Sequence, residues 1–166
     1  MDKENSLRKT SEEQYGEKFR DHYLEIYRIY VITADKVGVR RQLANSFFLS
    51  INTVIIGLVS YLQAGSDAQT LIVFYLLISI SGMLICYMWY RLILSYKQIN
   101  SGKFKVIHEI EEKLPLSPYN AEWEILGRGR DAKRYLPFTH IERLVPWVFF
   151  GLHTVVFLKS ILDFGS

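Results

Sequence analysis

The sequence predicts an all-α integral membrane protein with a transmembrane helical hairpin and a third C-terminal membrane helix. An amphipathic N-terminal helix and a small helical cytoplasmic layer complete this predicted fold. The main evidence is two long stretches without any charged residue, Gln42–Ser66 and Ala68–Tyr90, which only Asp67 separates. A helix needs about 20 apolar residues to cross a hydrocarbon core roughly 30 Å thick. Both stretches exceed that length, so each is expected to span.

The distribution of charge divides the chain into four segments. Residues 1–41 form an N-terminal segment with an amphipathic helix, 42–91 the transmembrane hairpin, 92–140 a second charged segment, and 141–166 the third membrane helix with a short C-terminus. A chain of 166 residues has room for one compact unit. Its net charge is only +3, so no nucleic-acid partner is expected.

The basic residues predict the orientation in the membrane. Arg40 and Arg41 precede the first span, and Arg91 and Lys97 follow the second, whereas the turn at residues 64–69 contains no basic residue. Segments rich in Lys and Arg stay in the cytoplasm. The N-terminus and residues 92–140 are therefore predicted to be cytoplasmic and the turn external.

A third apolar stretch, Leu144–Leu158, is short for a span. Extending it to Ile141–Phe164 makes it long enough, with its terminal charged side chains reaching the two interfaces. Thr139 and Glu142 have the spacing of a capping box that would begin this helix. The prediction is three spans with the C-terminus outside; the alternative is an interfacial or re-entrant helix.

The N-terminal segment has helical periodicity. Its apolar residues are Tyr15, Phe19, Tyr23, Ile26, Tyr27, Tyr30, Ala34 and Val37. Their spacing of three and four residues is typical of an amphipathic helix, here with a tyrosine-rich face. One interpretation is a docking helix for a partner or the lipid surface. The other is packing against the protein's own cytoplasmic segment or a neighbouring subunit.

The second charged segment predicts short helices. The second span is expected to continue to about Asn100, followed by a helix at Lys103–Lys113 that Pro115 stops. Another helix is expected at Ala121–Leu126, capped by Asn120. Helices this short are marginal alone, so they are expected to pack on the N-terminal helix.

A stripe of small residues runs along the first span. It consists of Ser46, Ser50, Thr53, Gly57, Ser60 and Ala64, at alternating steps of four and three residues. Small faces allow close approach of helices in lipid, and hydroxyl groups add interhelical hydrogen bonds. The stripe predicts packing within the hairpin, packing between subunits, or the lining of a pore.

Two asparagines, Asn45 and Asn52, lie beside this stripe. An amide inside a span needs a protein partner or water. Both are therefore candidates for protein–protein contacts or for a wet lumen.

No set of residues in the chain has the pattern of a catalytic or metal site. The histidines are scattered, and the single cysteine, Cys86, lies within the second span. The pattern Gly127-Arg128-Gly129-Arg130 lacks the strand and the Lys-Ser/Thr of a phosphate-binding loop. We expect no enzymatic activity, cofactor or metal.

Three runs carry a resemblance to a known family. They are Ala34–Thr53, Asn100–Glu109 and Tyr135–Glu142, and over about residues 20–158 the chain resembles the RipA-type octameric membrane proteins. The resemblance implies a bacterial inner-membrane homo-oligomer, an octamer, without catalytic residues. The start of the first span is also similar to two-span SLATT-type effector domains, which implies membrane perturbation by a pore; the third apolar stretch departs from that pattern.

Two functions follow from these expectations. The first is a ring-like assembly in the bilayer with channel-like or membrane-perturbing activity, which the polar stripe favours. The second is a non-conducting membrane scaffold that recruits a cytoplasmic protein partner, which the tyrosine-rich helix favours.

Overall fold

The computed structural model describes residues 7, 10–65, 71–130, 134–135 and 138–164. Its helices are α1 (Glu12–Tyr15), α2 (Phe19–Gly65), α3 (Ile72–Glu111), α4 (Pro118–Ile125), α5 (Phe138–Glu142) and α6 (Leu144–Phe164), with a 3₁₀ turn at Gly127–Gly129. The described residues contain no strand. Three helical segments, in α2, in α3 and at His140–Phe164, are long and apolar enough to cross a membrane. The predicted all-α membrane fold is confirmed.

Helix α2 unites the predicted amphipathic helix and the first span in 47 residues. It begins at Phe19 rather than Tyr15, because Gly16 has a φ of +89° and separates it from the short α1. Ser11 caps α1 by accepting a hydrogen bond from the Gln14 N–H. At about 1.5 Å per residue, residues 19–41 extend roughly 35 Å beyond the apolar part of the helix.

Helix α3 is also continuous, over 40 residues. The predicted break between Asn100 and Lys103 is wrong, because contacts with α2 outweigh the weak helix propensity of Gly102. The helix ends at Glu111, four residues before Pro115, whose ring would clash with the Glu111 carbonyl group. The predicted stop is therefore confirmed.

The segments after α3 differ from prediction at their boundaries. Helix α4 begins at Pro118 rather than Ala121, since proline is well suited to the first turn. The third membrane segment is split into α5 and α6 by a turn at Arg143. This turn makes Pro146 the third residue of α6, where its missing N–H breaks no intrahelical bond. The side chain of Thr139 and residues 66–70, which include most of the predicted external turn, lie outside the described parts.

The charged ends of α2 and α3, residues 19–41 and 95–111, pack together as an antiparallel pair that we call the arm. The Tyr23 hydroxyl donates to the Ile110 carbonyl oxygen (2.8 Å), and the Lys103 ammonium group donates to Thr33 (2.9 Å) and lies 5.2 Å from the Tyr30 ring centre. Of the two interpretations of the tyrosine-rich face, packing within the chain is therefore the one that the structure shows.

Glu111 joins the arm to α4. Its side chain is 1% exposed, and its carboxylate accepts hydrogen bonds from the Tyr27 hydroxyl (2.9 Å) and from the backbone N–H groups of Tyr119 and Asn120 (3.0 Å each). Those N–H groups belong to the first turn of α4, where a negative charge is favourable. Glu111 thus provides the cap that Asn120 was predicted to supply.

Tyr27→Phe tests this junction. The hydrogen bond to the Glu111 carboxylate is lost, so the free energy of unfolding should fall by about 1.5–3 kcal/mol, and amide protection in α4 should fall with it. Tyr30→Phe is the matched control, because Tyr30 contacts Lys103 through its ring, which phenylalanine retains. Equal effects of the two variants on unfolding in detergent would contradict the assignment.

The same bond predicts a pH dependence. Burial and the hydrogen bond to Glu111 raise the pKa of Tyr27 to about 12 from its ordinary value of 10.0. A raised pKa stabilises the fold below the ordinary value, and this stability is lost as the pH rises through the raised one. The stability difference between the protein and its Tyr27→Phe variant should therefore shrink between these two values.

Candidate functional site: a polar cluster between the membrane helices

Helix α3 lies at the centre of the membrane bundle and packs against both α2 and α6. Its buried residues recur at alternating steps of three and four: Ile72, Tyr75, Ser79, Gly82, Cys86, Trp89 and Ile93. This heptad spacing places them along one side of a helix that contacts two neighbours. Helix α6 contributes Pro146, His153 and Ser160 at steps of seven.

A polar cluster joins the three helices near the middle of the bundle. The Asn52 side chain of α2 is fully buried, and its Oδ1 lies 3.0 Å from His153 Nε2 of α6 and 3.2 Å from Cys86 Sγ of α3. The Asn52 amide NH₂ donates to the Phe48 carbonyl oxygen (2.8 Å), which fixes its orientation. Because Oδ1 can only accept, both His153 Nε2 and the Cys86 thiol are donors.

The His153 ring lies against Gly82 of α3, where the glycine has no side chain to occupy the space. A Cβ atom added to Gly82 would overlap the His153 ring. The ring is 1% exposed. Glycine at position 82 therefore allows the imidazole of α6 to reach Asn52 across the surface of α3.

A second layer lies one to two turns closer to the arm. The Trp89 indole N–H donates to Asn45 Oδ1 (2.8 Å), and its ring stacks on Phe48 with centroids 5.8 Å apart. On the α6 side the same indole contacts Phe149. Where the apolar segments meet the arm, Arg41 and Glu142 form an ion pair at 3.8 Å.

The structure separates the predicted site residues into two groups. Asn45 and Asn52 lie inside the subunit, each hydrogen-bonded to another helix. The stripe residues whose side chains the structure describes are exposed: Ser46, Ser50, Thr53, Gly57 and Ser60; the side chain of Ala64 lies outside the described parts. Each asparagine immediately precedes a stripe residue, and consecutive residues lie about 100° apart around a helix. Packing within the subunit therefore uses the face beside the stripe.

Sequence reasoning missed His153 as a partner of Asn52. The available signal was a neutral histidine within an apolar stretch, which by itself marks a functional or packing position in a membrane helix. The sequence places Cys86 within the second span but does not identify its hydrogen-bond partner. In the parts of the chain that the structure describes, no group of three or more His, Cys, Asp or Glu residues could hold a metal ion. The cluster is suited to joining helices, since its amide, imidazole and thiol groups bond to one another.

Gly82→Ala tests the cluster. The added methyl group overlaps the His153 ring, so the free energy of unfolding should fall by about 1–3 kcal/mol. Gly102→Ala is the control, because nothing lies within 4 Å of that position and alanine favours the helix. In a Gly82→Ala background, His153→Ala removes the overlap. It should therefore lower the free energy of unfolding by less than it does in the unmodified protein. Wild-type stability of Gly82→Ala in detergent unfolding would contradict the packing described.

Comparison with known proteins identifies a family. The model of the octameric membrane protein family (8xMP) matches residues 24–162, from within the arm to the last turn of α6. No curated protein and no solved structure matches the chain. The match confirms the resemblance to the RipA-type octameric membrane proteins and supports self-association in a membrane; the likeness to SLATT-type domains stays a prediction. Since the model covers most of its length, the chain belongs to the octameric membrane protein family (8xMP).

Proposed function

We propose that this homo-oligomeric protein is a non-conducting, non-enzymatic scaffold of the bacterial inner membrane that presents a ring of rigid arms to a cytoplasmic protein partner. The observation that carries the proposal is the engagement of Asn45 and Asn52 within one subunit. These were the residues best suited to a wet lumen, and their amides are bonded to Trp89, Cys86 and His153 instead.

The arm and α4 support a recruiting role. Both arm helices continue directly from membrane helices, so the position of the arm is coupled to that of the bundle. Apolar side chains around α4 are exposed: Leu116 by 79%, Ile125 by 74% and Trp123 by 38%. Exposed apolar groups outside a bilayer are typical of surfaces that bind another protein. This surface is the one we assign to the cytoplasmic partner.

A second candidate function is a conducting ring, in which the small stripe of α2 lines the lumen. The observation in its favour is that Ser46, Ser50, Thr53 and Ser60 are exposed on the subunit rather than packed within it. Hydroxyl groups can line a polar path through a membrane, as they can also pack between helices. Measurement of conductance separates the two candidates.

The proposed orientation places the arm in the cytoplasm and the C-terminus in the periplasm. Its support is the set of basic residues at the arm side of both hairpin helices, against none in residues 64–69. A single cysteine at Lys105 should be shielded from an impermeant thiol reagent in intact spheroplasts, and one at Ser66 should react. Cys86 can remain, because it is 1% exposed. The reverse pattern of labelling would overturn the orientation.

Conductance and mass together test the function. We expect an oligomer by mass measurement in detergent and no conductance in planar bilayers. Asn52→Leu should lower the free energy of unfolding by about 0.6–2 kcal/mol and leave conductance at the same baseline, since Asn52 bonds within the subunit. Thr53→Leu is the neighbouring control on the exposed stripe. Conductance that Thr53→Leu abolishes while its oligomer stays intact would replace the scaffold with the conducting ring, and a monomeric unmodified protein would exclude both.

A further inference from the structure

Helix α2 carries a second, uncovered face that runs from the arm into the membrane. One row of this face follows steps of seven residues: Ile32, Val39, Ser46, Thr53 and Ser60. A parallel row contains Ile29, Lys36, Leu43, Ser50 and Gly57, also at steps of seven. We call these ten positions the outer face. Two rows with a seven-residue repeat are typical of a helix that packs along another helix.

The outer face is exposed along its whole length, and its polarity is the reverse of what solvent and lipid favour. In the arm, which is charged and lies beyond the apolar segment, its residues Ile29, Ile32 and Val39 are 49%, 52% and 50% exposed. In the membrane segment, its residues after Leu43 are serine, threonine and glycine, and all of them are exposed. Large apolar groups toward water and small polar groups toward lipid both indicate a face that protein covers.

The membrane part of the outer face is ready for close packing. The Thr53 hydroxyl donates to the Leu49 carbonyl oxygen (2.8 Å), and the Ser60 hydroxyl donates to that of Ile56 (2.9 Å). Their polar groups are thus already bonded within α2. Gly57 has open space where a side chain would be. A neighbouring helix can therefore approach the backbone closely without leaving the Thr53 or Ser60 hydroxyl group unpaired.

A lipid surface does not explain the arm part of this face. Helix α2 is continuous from the arm into its membrane segment, so the arm cannot lie in the plane of the bilayer. Helices that do so carry many Lys and Arg residues on their polar face. Here the flanking charges have both signs, as at Glu25, Arg28 and Asp35. Mixed charges beside an apolar row suit another protein surface.

We propose that the outer face is one continuous interface with a second copy of this chain, about 45 Å long from Ile29 to Ser60 at roughly 1.5 Å per residue. The proposal rests on the homo-oligomeric state that family membership supports. In a ring whose subunits share one orientation in the membrane, neighbours meet through two different surfaces. The outer face of one subunit therefore packs against another surface of the next, and it is not available to line a lumen.

Site-specific photo-crosslinking tests the interface in the full-length protein. A benzophenone amino acid replaces Ile32 in the arm and Thr53 in the membrane, with two differently tagged copies co-expressed. Ile26 and Leu58 are matched controls, which are 50% and 43% exposed. They lie about 120° and 140° from Ile32 and Thr53 around the helix. Co-purification of the two tags in a denatured, crosslinked band reports a contact between copies.

We expect the outer-face positions to give at least fivefold more crosslinked dimer than their controls. In parallel, Ile32→Glu should reduce the fraction of intact oligomer at least tenfold, whereas Ile26→Glu should leave it unchanged. Dimers from the controls alone, or lipid adducts at both outer-face positions, would overturn the interface while the oligomer itself persists. A monomeric mass for the unmodified protein would instead refute the homo-oligomeric state on which the proposed function rests.

Discussion

The structure depends on the carbonyl oxygen of one buried amide. Hydrocarbon offers no hydrogen-bond partner, so a polar side chain inside a membrane bundle must find one in the protein. Asn52 does so by accepting from a histidine of α6 and a thiol of α3 at once. Apolar contacts alone would let the third helix slide or rotate along the hairpin, because lipid tails compete equally for its leucines and valines. The hydrogen bonds at Asn52, together with the space left by Gly82, favour one rotation and one depth for α6.

The arm follows from the same arrangement. Because α2 and α3 continue through the membrane boundary without a break, the register set at Asn52 and Cys86 and at Asn45 and Trp89 extends along both helices. It brings Tyr27 opposite Glu111, whose carboxylate then caps α4. A buried carboxylate is costly unless several donors reach it, and here three do. The fold of the charged segment is thus linked to contacts made within the membrane.

The sequence predicted the parts of this fold that depend on local pattern. Uncharged runs of sufficient length identify spans whatever their neighbours are, and the spacing of Tyr23, Tyr27 and Tyr30 identifies a helix with one packing face. It did not predict the continuity of α3, because the propensities of Asn100 and Gly102 favour a break that contacts with α2 override. It also could not identify the partners of Asn52. His153 is 101 residues away in the chain, and only the antiparallel packing of α6 on α3 brings the two together.

The two faces of α2 differ in chemistry. One packs against helices of the same subunit, and the outer face is the one that we assign to contact between subunits. Within a subunit, hydrogen bonds from Asn45 and Asn52 depend on distance and angle, so they specify one arrangement of the three helices. On the outer face, the Thr53 and Ser60 hydroxyl groups are bonded to their own backbone, and the face offers mainly shape: isoleucine and valine in the arm, small residues in the membrane. A surface of that kind has few polar groups to select a register by itself. It can form a defined contact only on a subunit whose helices already hold fixed positions. The contacts of the buried polar cluster are therefore needed before subunits can assemble.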